Sequence, residues 1–147
     1  MPDTFKKRMI IGNLELCSLP DLGIHDLEVR IDTGAKTSSL HVDNIERIVR
    51  EGKLYVQYDL HPDTYKLEEV VRCESLVFDS RRIKSSNGNV EQRVVIETTF
   101  QLGKKSWPIQ LTLSNRNDMT YMMLLGREAM GNKVYVDPSH TFLVGEG

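Results

Sequence analysis

Apolar and polar residues alternate along most of this chain with a period of two. Leu27, Val29 and Ile31 are separated by Glu28 and Arg30. Leu54, Val56 and Tyr58 repeat the pattern, as do Val94, Ile96 and Thr98, and then Trp107, Ile109, Leu111 and Leu113. A two-residue period puts every second side chain on one face, so each run predicts a half-buried strand. Between the runs lie turn-forming segments: Arg50-Glu51-Gly52-Lys53, Ser86-Asn87-Gly88-Asn89 and Leu102-Gly103-Lys104-Lys105. Asn87-Gly88 is the strongest hairpin signal, because both residues tolerate positive φ. Helical pattern is confined to Arg127-Glu128-Ala129-Met130, stopped by Gly131-Asn132. A strand is predicted at Val134-Tyr135-Val136, ended by Pro138, and a last one at Thr141-Phe142-Leu143-Val144. Short strands joined by turns imply an all-β barrel or sandwich.

Composition narrows the class. The sequence has 147 residues, 39% apolar and 27% charged, the values of an ordinary single domain able to bury a core. No internal repeat or low-complexity tract divides it, so one domain over 1–147 is expected, with its core at about 10–145. A net charge of -2 gives no bulk attraction to nucleic acid or an anionic membrane. Cys17 and Cys73 are too few for a disulfide framework, and a reduced pair is the simpler expectation. Lys6, Lys7 and Arg8 are followed only by Met9-Ile10-Ile11 before Gly12. With no longer apolar run, neither a signal peptide nor a membrane span is expected, and a cytoplasmic location is.

Chemistry enters at Asp32-Thr33-Gly34-Ala35. A strand leads into it, and the small residues Thr37, Ser38 and Ser39 follow. Such a triplet is short and is often only a turn, so its context decides. Far downstream, Met123-Leu124-Leu125-Gly126-Arg127 joins an apolar strand to the short helix through a glycine.

The two elements resemble the Asp-Thr-Gly-Ala and apolar-apolar-Gly-Arg motifs of retropepsin-like aspartic peptidases. The resemblance is closer to a bacterial branch often labelled "ATP-dependent zinc protease". It is carried by Leu22-Gly23-Ile24, Asp32 to Ser38, Ser85-Ser86-x-Gly88, Glu91-x-Arg93-x-Val95-Ile96, Leu111-Thr112-Leu113, Met123 to Arg127 and Val136-Asp137-Pro138. It implies a closed retropepsin-like barrel with one short C-terminal helix. It also implies that Asp32 is catalytic, supported by Thr33, Gly34 and Ala35. Aspartic peptidases use two carboxylates that share one proton, because like charges about 3 Å apart do not both ionise. One Asp-Thr-Gly therefore implies a homodimer in which Asp32 meets its two-fold mate. Thr33 is expected to hydrogen-bond across that dyad. Gly34 lets the backbone approach the carboxylate. Ala35 offers it no hydroxyl, so a working range less shifted towards acid is expected. The Ser85-Ser86-Asn87-Gly88-Asn89 hairpin is the expected flap, and Gly126 and Arg127 are structural.

Viral retropepsins often carry an acidic residue where this chain has Lys36, so Arg127 needs another partner, with Glu128, Asp43 and Glu46 as candidates. Lys36, with Arg81, Arg82, Lys84 and Arg93 on the flap arms, suggests a cleft that prefers anions. The plain alternative is a basic sheet edge that discourages unwanted pairing. Bacterial relatives are linked with ATP-grasp glutamate ligases. The expected partners are therefore a second copy, a peptide substrate that is acidic or glutamate-rich, and functionally such a ligase. No cofactor is expected. His25, His41, His61 and His140 are scattered, no His-Glu-x-x-His or Cys-x-x-Cys occurs, and neither does a P-loop, so zinc and direct ATP use have no motif. His41 is a candidate polar neighbour of the site. Competing readings are a non-catalytic module binding an acidic peptide or partner on the same fold, and a metal peptidase.

Overall fold

A computed structural model of the chain describes residues 8–62, 68–84, 88–115 and 121–144. The strands are β1 (Met9–Ile11), β2 (Leu14–Leu19), β3 (Ile24–Ile31), β4 (Ser38–His41), β5 (Asp43–Arg50), β6 (Lys53–Leu60), β7 (Val71–Leu76), β8 (Asp79–Lys84), β9 (Val90–Leu102), β10 (Lys105–Ser114), β11 (Met123–Leu125) and β12 (Val134–Val136). A 3₁₀ turn covers Pro20–Leu22, and the helix, α1, is Arg127–Met130. The alternating runs are strands as expected. Leu27, Val29 and Ile31, Val94, Ile96 and Thr98, and Trp107, Ile109, Leu111 and Leu113 all point into the core.

The central sheet runs β10-β4-β11-β3-β2-β9, and β9 pairs back to β10. That closes a six-stranded barrel, which removes the free edges of an open sheet. β8 extends beyond the barrel as a partner of β9 alone. Inside, Phe100 and Trp107 meet edge to face with centroids 5.2 Å apart. Two predicted turns have the backbone their sequences call for. Glu51 and Gly52 both take positive φ (52° and 78°), the requirement of a two-residue hairpin turn whose twist matches its strands. Gly103 takes φ 59° at the first turn position between β9 and β10.

A separate sheet, β5-β6-β7, stands beside the barrel. Val56, Tyr58 and Leu60 face the core, while Arg50–Glu74, Arg72–Asp59 and Arg72–Glu46 pair on its surface. β1 and β12 form a two-stranded parallel ribbon.

The strand expected at Thr141–Val144 is not formed. The backbone turns at Phe142, with φ 52°. The amides of Leu143 and Val144 donate to the carboxylate of Glu15, at 2.9 and 3.2 Å, so a side chain takes the donors a neighbouring strand would have used. Cys17 and Cys73 are both free and buried. Burial pushes the Cys17 thiol far above its ordinary range, which makes it an inert core residue.

Candidate active site

β11 lies between β3 and β4, parallel to the first and antiparallel to the second. The segment joining β3 to β4 must therefore cross the end of β11, and that segment is 32–37. The crossing fixes Asp32. Its amide donates to the carbonyl of Leu125 at 2.9 Å, and the Ala35 amide closes the turn on the Asp32 carbonyl at 3.2 Å. The Gly34 amide donates to Asp32 Oδ1 at 3.0 Å. Asp32 is half-buried, and Thr33 and Gly34 beside it are exposed. Oδ2 of Asp32 has no protein partner among the described residues.

Gly126 explains why β11 ends in glycine. A Cβ there would lie 2.5 Å from the carbonyl oxygen of Thr37, so no other residue lets the two segments cross at this separation. Its amide donates to Ser38 Oγ at 2.9 Å. Arg127 and Glu128 continue the clamp, their amides donating to the carbonyls of Ala35 and Lys36 at 2.8 and 3.1 Å. The Arg127 guanidinium does not take the carboxylate partner expected of it. Nη1 donates to the carbonyls of Thr33 and Gly34, at 3.4 and 3.2 Å. The three candidate acids are engaged elsewhere: Asp43 with His61, Glu46 with Arg72 and Glu128 with Lys36. Arg127 thus holds the 32–37 loop by its backbone.

The chain is matched over residues 10–146 by the family model of the RimB-like proteins, described as retropepsin-like aspartic endopeptidase RimB. It belongs to the RimB-like family. Within it the chain resembles longer proteins, each called a probable alpha-L-glutamate ligase. It is 50% identical over 139 residues to one from Shewanella halifaxensis and 43% identical over 140 residues to one from Parasynechococcus marenigrum. Each match covers 95% of this chain, but the chain spans only 30% of either relative. Among solved structures it is similar to Lpg0085 of Legionella pneumophila, a protein of unknown function (DUF785). That likeness has a TM-score of 0.78 and 31% identity, covering 92% of this chain and 98% of the other.

The RimB-like barrel brings part of the expected cleft together. Thr37, Arg81, Gln110 and Glu128 line a pocket of about 160 Å³ between the loop after Asp32, the β8–β9 hairpin and α1. The arms of the hairpin pair, with Lys84 opposite Val90 and Arg81 opposite Arg93. Gly88 has φ 88° at its tip, and Ser85, Ser86 and Asn87 lie outside the described residues. Three of the five expected cations face an acid. Lys36 lies 3.6 Å from Glu128, Arg81 3.1 Å from Asp79, and Arg93 3.3 Å from Glu91. Only Arg82 and Lys84, both exposed, have no such partner among the described residues. Asp79 is held below the usual carboxylate range by the Ser80 amide and then by Arg81.

His41 sits buried at the end of β4 away from the loop, its amide on the Met122 carbonyl. Among the described residues no three His, Cys, Asp or Glu side chains group as metal ligands, so the zinc of the family label has no ligand set there. No described helix is long and apolar enough to cross a membrane.

Residue patterns missed two supports. Ser38 was visible only as a small residue after the motif. Glu15 was hidden in the alternation of β2, where it is the inward, fully buried position. Its carboxylate accepts from Gly12 at 2.7 Å as well as from Leu143 and Val144. Asn13, next to Gly12, accepts the amide of Ile31 at 2.9 Å, so Glu15 braces the base of the strand that delivers Asp32.

Proposed function

We propose that this protein is an aspartic endopeptidase completed by a second copy of itself. The observation that carries the reading is Asp32: a carboxylate fixed at one oxygen by Gly34, open at the other, on an exposed loop clamped by Gly126 and Arg127. In the dimer, the ionised Asp32 takes a proton from water, and the hydroxide attacks the scissile carbonyl. The protonated Asp32 of the other copy donates to the carbonyl oxygen. Collapse of the tetrahedral intermediate breaks the C–N bond, and the amine leaves with a proton. In this reading Thr33, exposed beside Asp32, bonds across the dyad, and the β8–β9 hairpin covers the peptide.

The substrate is an acidic, glutamate-rich tail. Support comes from the ligase names of the longer relatives, since a ligase that adds glutamate makes such tails. It comes also from Arg82 and Lys84, exposed on β8 with no acidic partner among the described residues. Purified protein incubated with oligoglutamate-tailed and neutral peptides, followed by mass spectrometry, tests the reading. Wild type is expected to cleave the acidic peptide, with Asp32→Asn and Asp32→Ala reducing the rate by about 10³-fold or more. Unchanged cleavage in either variant ends the aspartic mechanism, and full activity of a strictly monomeric species in sedimentation ends the dimer.

A binding module is the second reading, favoured by the chain's matching less than a third of proteins named as ligases. It predicts tight peptide binding and no hydrolysis, with the same affinity in Asp32→Asn.

A further inference from the structure

Three cations of the cleft, Lys36, Arg81 and Arg93, already face resident carboxylates. Arg81 and Arg93 are direct partners across the β8–β9 hairpin, an arrangement that like charges disfavour unless negative charge lies between them. Asp79 and Glu91, each two residues earlier on its own strand, supply that charge. Arg81 is well served, with Nη2 on Gln110 Oε1 at 2.6 Å besides Asp79. Arg93 is not. Its side chain is only 14% exposed, yet its bonds to Glu91 are long, at 3.3 and 3.4 Å, outside the usual N–H···O range. Lys36 and Glu128 are 3.6 Å apart and more than half exposed, a contact that water screens strongly. Glu97 lines the same pocket, so Lys36, Arg81 and Arg93 stand against four carboxylates, while Arg82 and Lys84 alternate onto the other face of β8 from Arg81.

Such a cleft has no surplus attraction for one carboxylate. We infer that Glu128, Glu91 and Asp79 act as resident competitors, and that an acidic peptide binds by exchanging its carboxylates for theirs. The inference rests on the acidic-substrate reading above. Exchange of one carboxylate for another is nearly even. A tail with several gains, because once the first is seated the next arrive at high effective concentration. Glu128 and Glu91 then set how many acidic residues a substrate needs, which makes them specificity-determining residues for tail length.

Binding in an Asp32→Asn background separates this from catalysis. Fluorescence anisotropy would compare labelled peptides bearing no, one, two or four glutamates, at low salt. We expect the four-glutamate peptide to bind about tenfold tighter than the one-glutamate peptide. Adding Glu128→Gln or Glu91→Gln should tighten the shorter acidic peptides by about threefold and leave the uncharged peptide unchanged, with circular dichroism confirming the fold. If acidic peptides are preferred but neither substitution tightens the short ones, the inference is overturned and the acidic-substrate reading stands. If no acidic peptide outbinds the neutral one, both fall together.

Discussion

Glu15 is a carboxylate in a position the alternation of β2 reserves for the core. Its burial is tolerated because three backbone amides, from Gly12, Leu143 and Val144, converge on it. A carboxylate in such a cage contributes more than a neutral acceptor, since bonds to a charged group are worth about 1.5–3 kcal/mol. Glu15→Gln keeps the volume but turns an NH₂ group towards N–H donors. Urea unfolding should show stability falling by about 2–3 kcal/mol, with little change in the slope. A change within about 0.5 kcal/mol would mean the cage is dispensable. The same residue shows the limit of reading side chains one at a time. Asp32, Gly34, Gly126 and Arg127 could be singled out because each belongs to a short motif. Glu15 could not, because its three donors come from two segments at opposite ends of the chain. Arg127 was singled out for the right place and the wrong bond, since Glu128 and Glu46 pair with Lys36 and Arg72, and Asp43 bonds His61.

At the scale of elements, α1 is the piece least able to stand alone. Four residues are far too few for a helix to persist in water. It is held instead from outside, by Trp107, whose Nε1 donates to the Ala129 carbonyl at 2.8 Å, and by the amides of Arg127 and Glu128 on the catalytic loop. Trp107→Phe keeps the edge-to-face contact with Phe100 but removes the donor. We expect a stability loss of about 1–2 kcal/mol by chemical unfolding and a larger fractional loss of peptidase rate, because α1 and the loop move together. Equal rates at matched folded fractions would contradict that coupling. The pairing of β8 with β9 was legible from the alternation in the arms. The pairing of Arg81 with Asp79 and of Arg93 with Glu91 was not, because acid and cation two residues apart lie on one face only if both are in strand.

For the whole molecule, acid should be the destabilising direction. Asp137 is held below the usual carboxylate range chiefly by the Ser139 hydroxyl, Asp21 by the Thr99 amide and Asp59 by Asn44. Each depressed group stabilises the fold at pH above the ordinary carboxylate value of about 4. That stability disappears as pH falls from there through the lower folded value. Thermal melts should therefore show a flat Tm from pH 7 to about 5 and a decline below about 4. Asp137→Asn should decline less steeply, and a Tm that rises on acidification would reverse the sign of the argument. The sequence by itself determined most of the strands, the turns at Glu51-Gly52 and Gly103-Lys104, and the loop at Asp32 as the candidate site, because period-two patterning, positive-φ residues and a short motif are local properties. Tertiary structure alone decided three other things. The barrel closes through β9 and β10. β11 threads beneath the 32–37 loop, so that Gly126 must be glycine. Lys36, Arg81 and Arg93 each face an acid. Each depends on which distant segments meet, and in this fold those meetings are set by how the sheet closes.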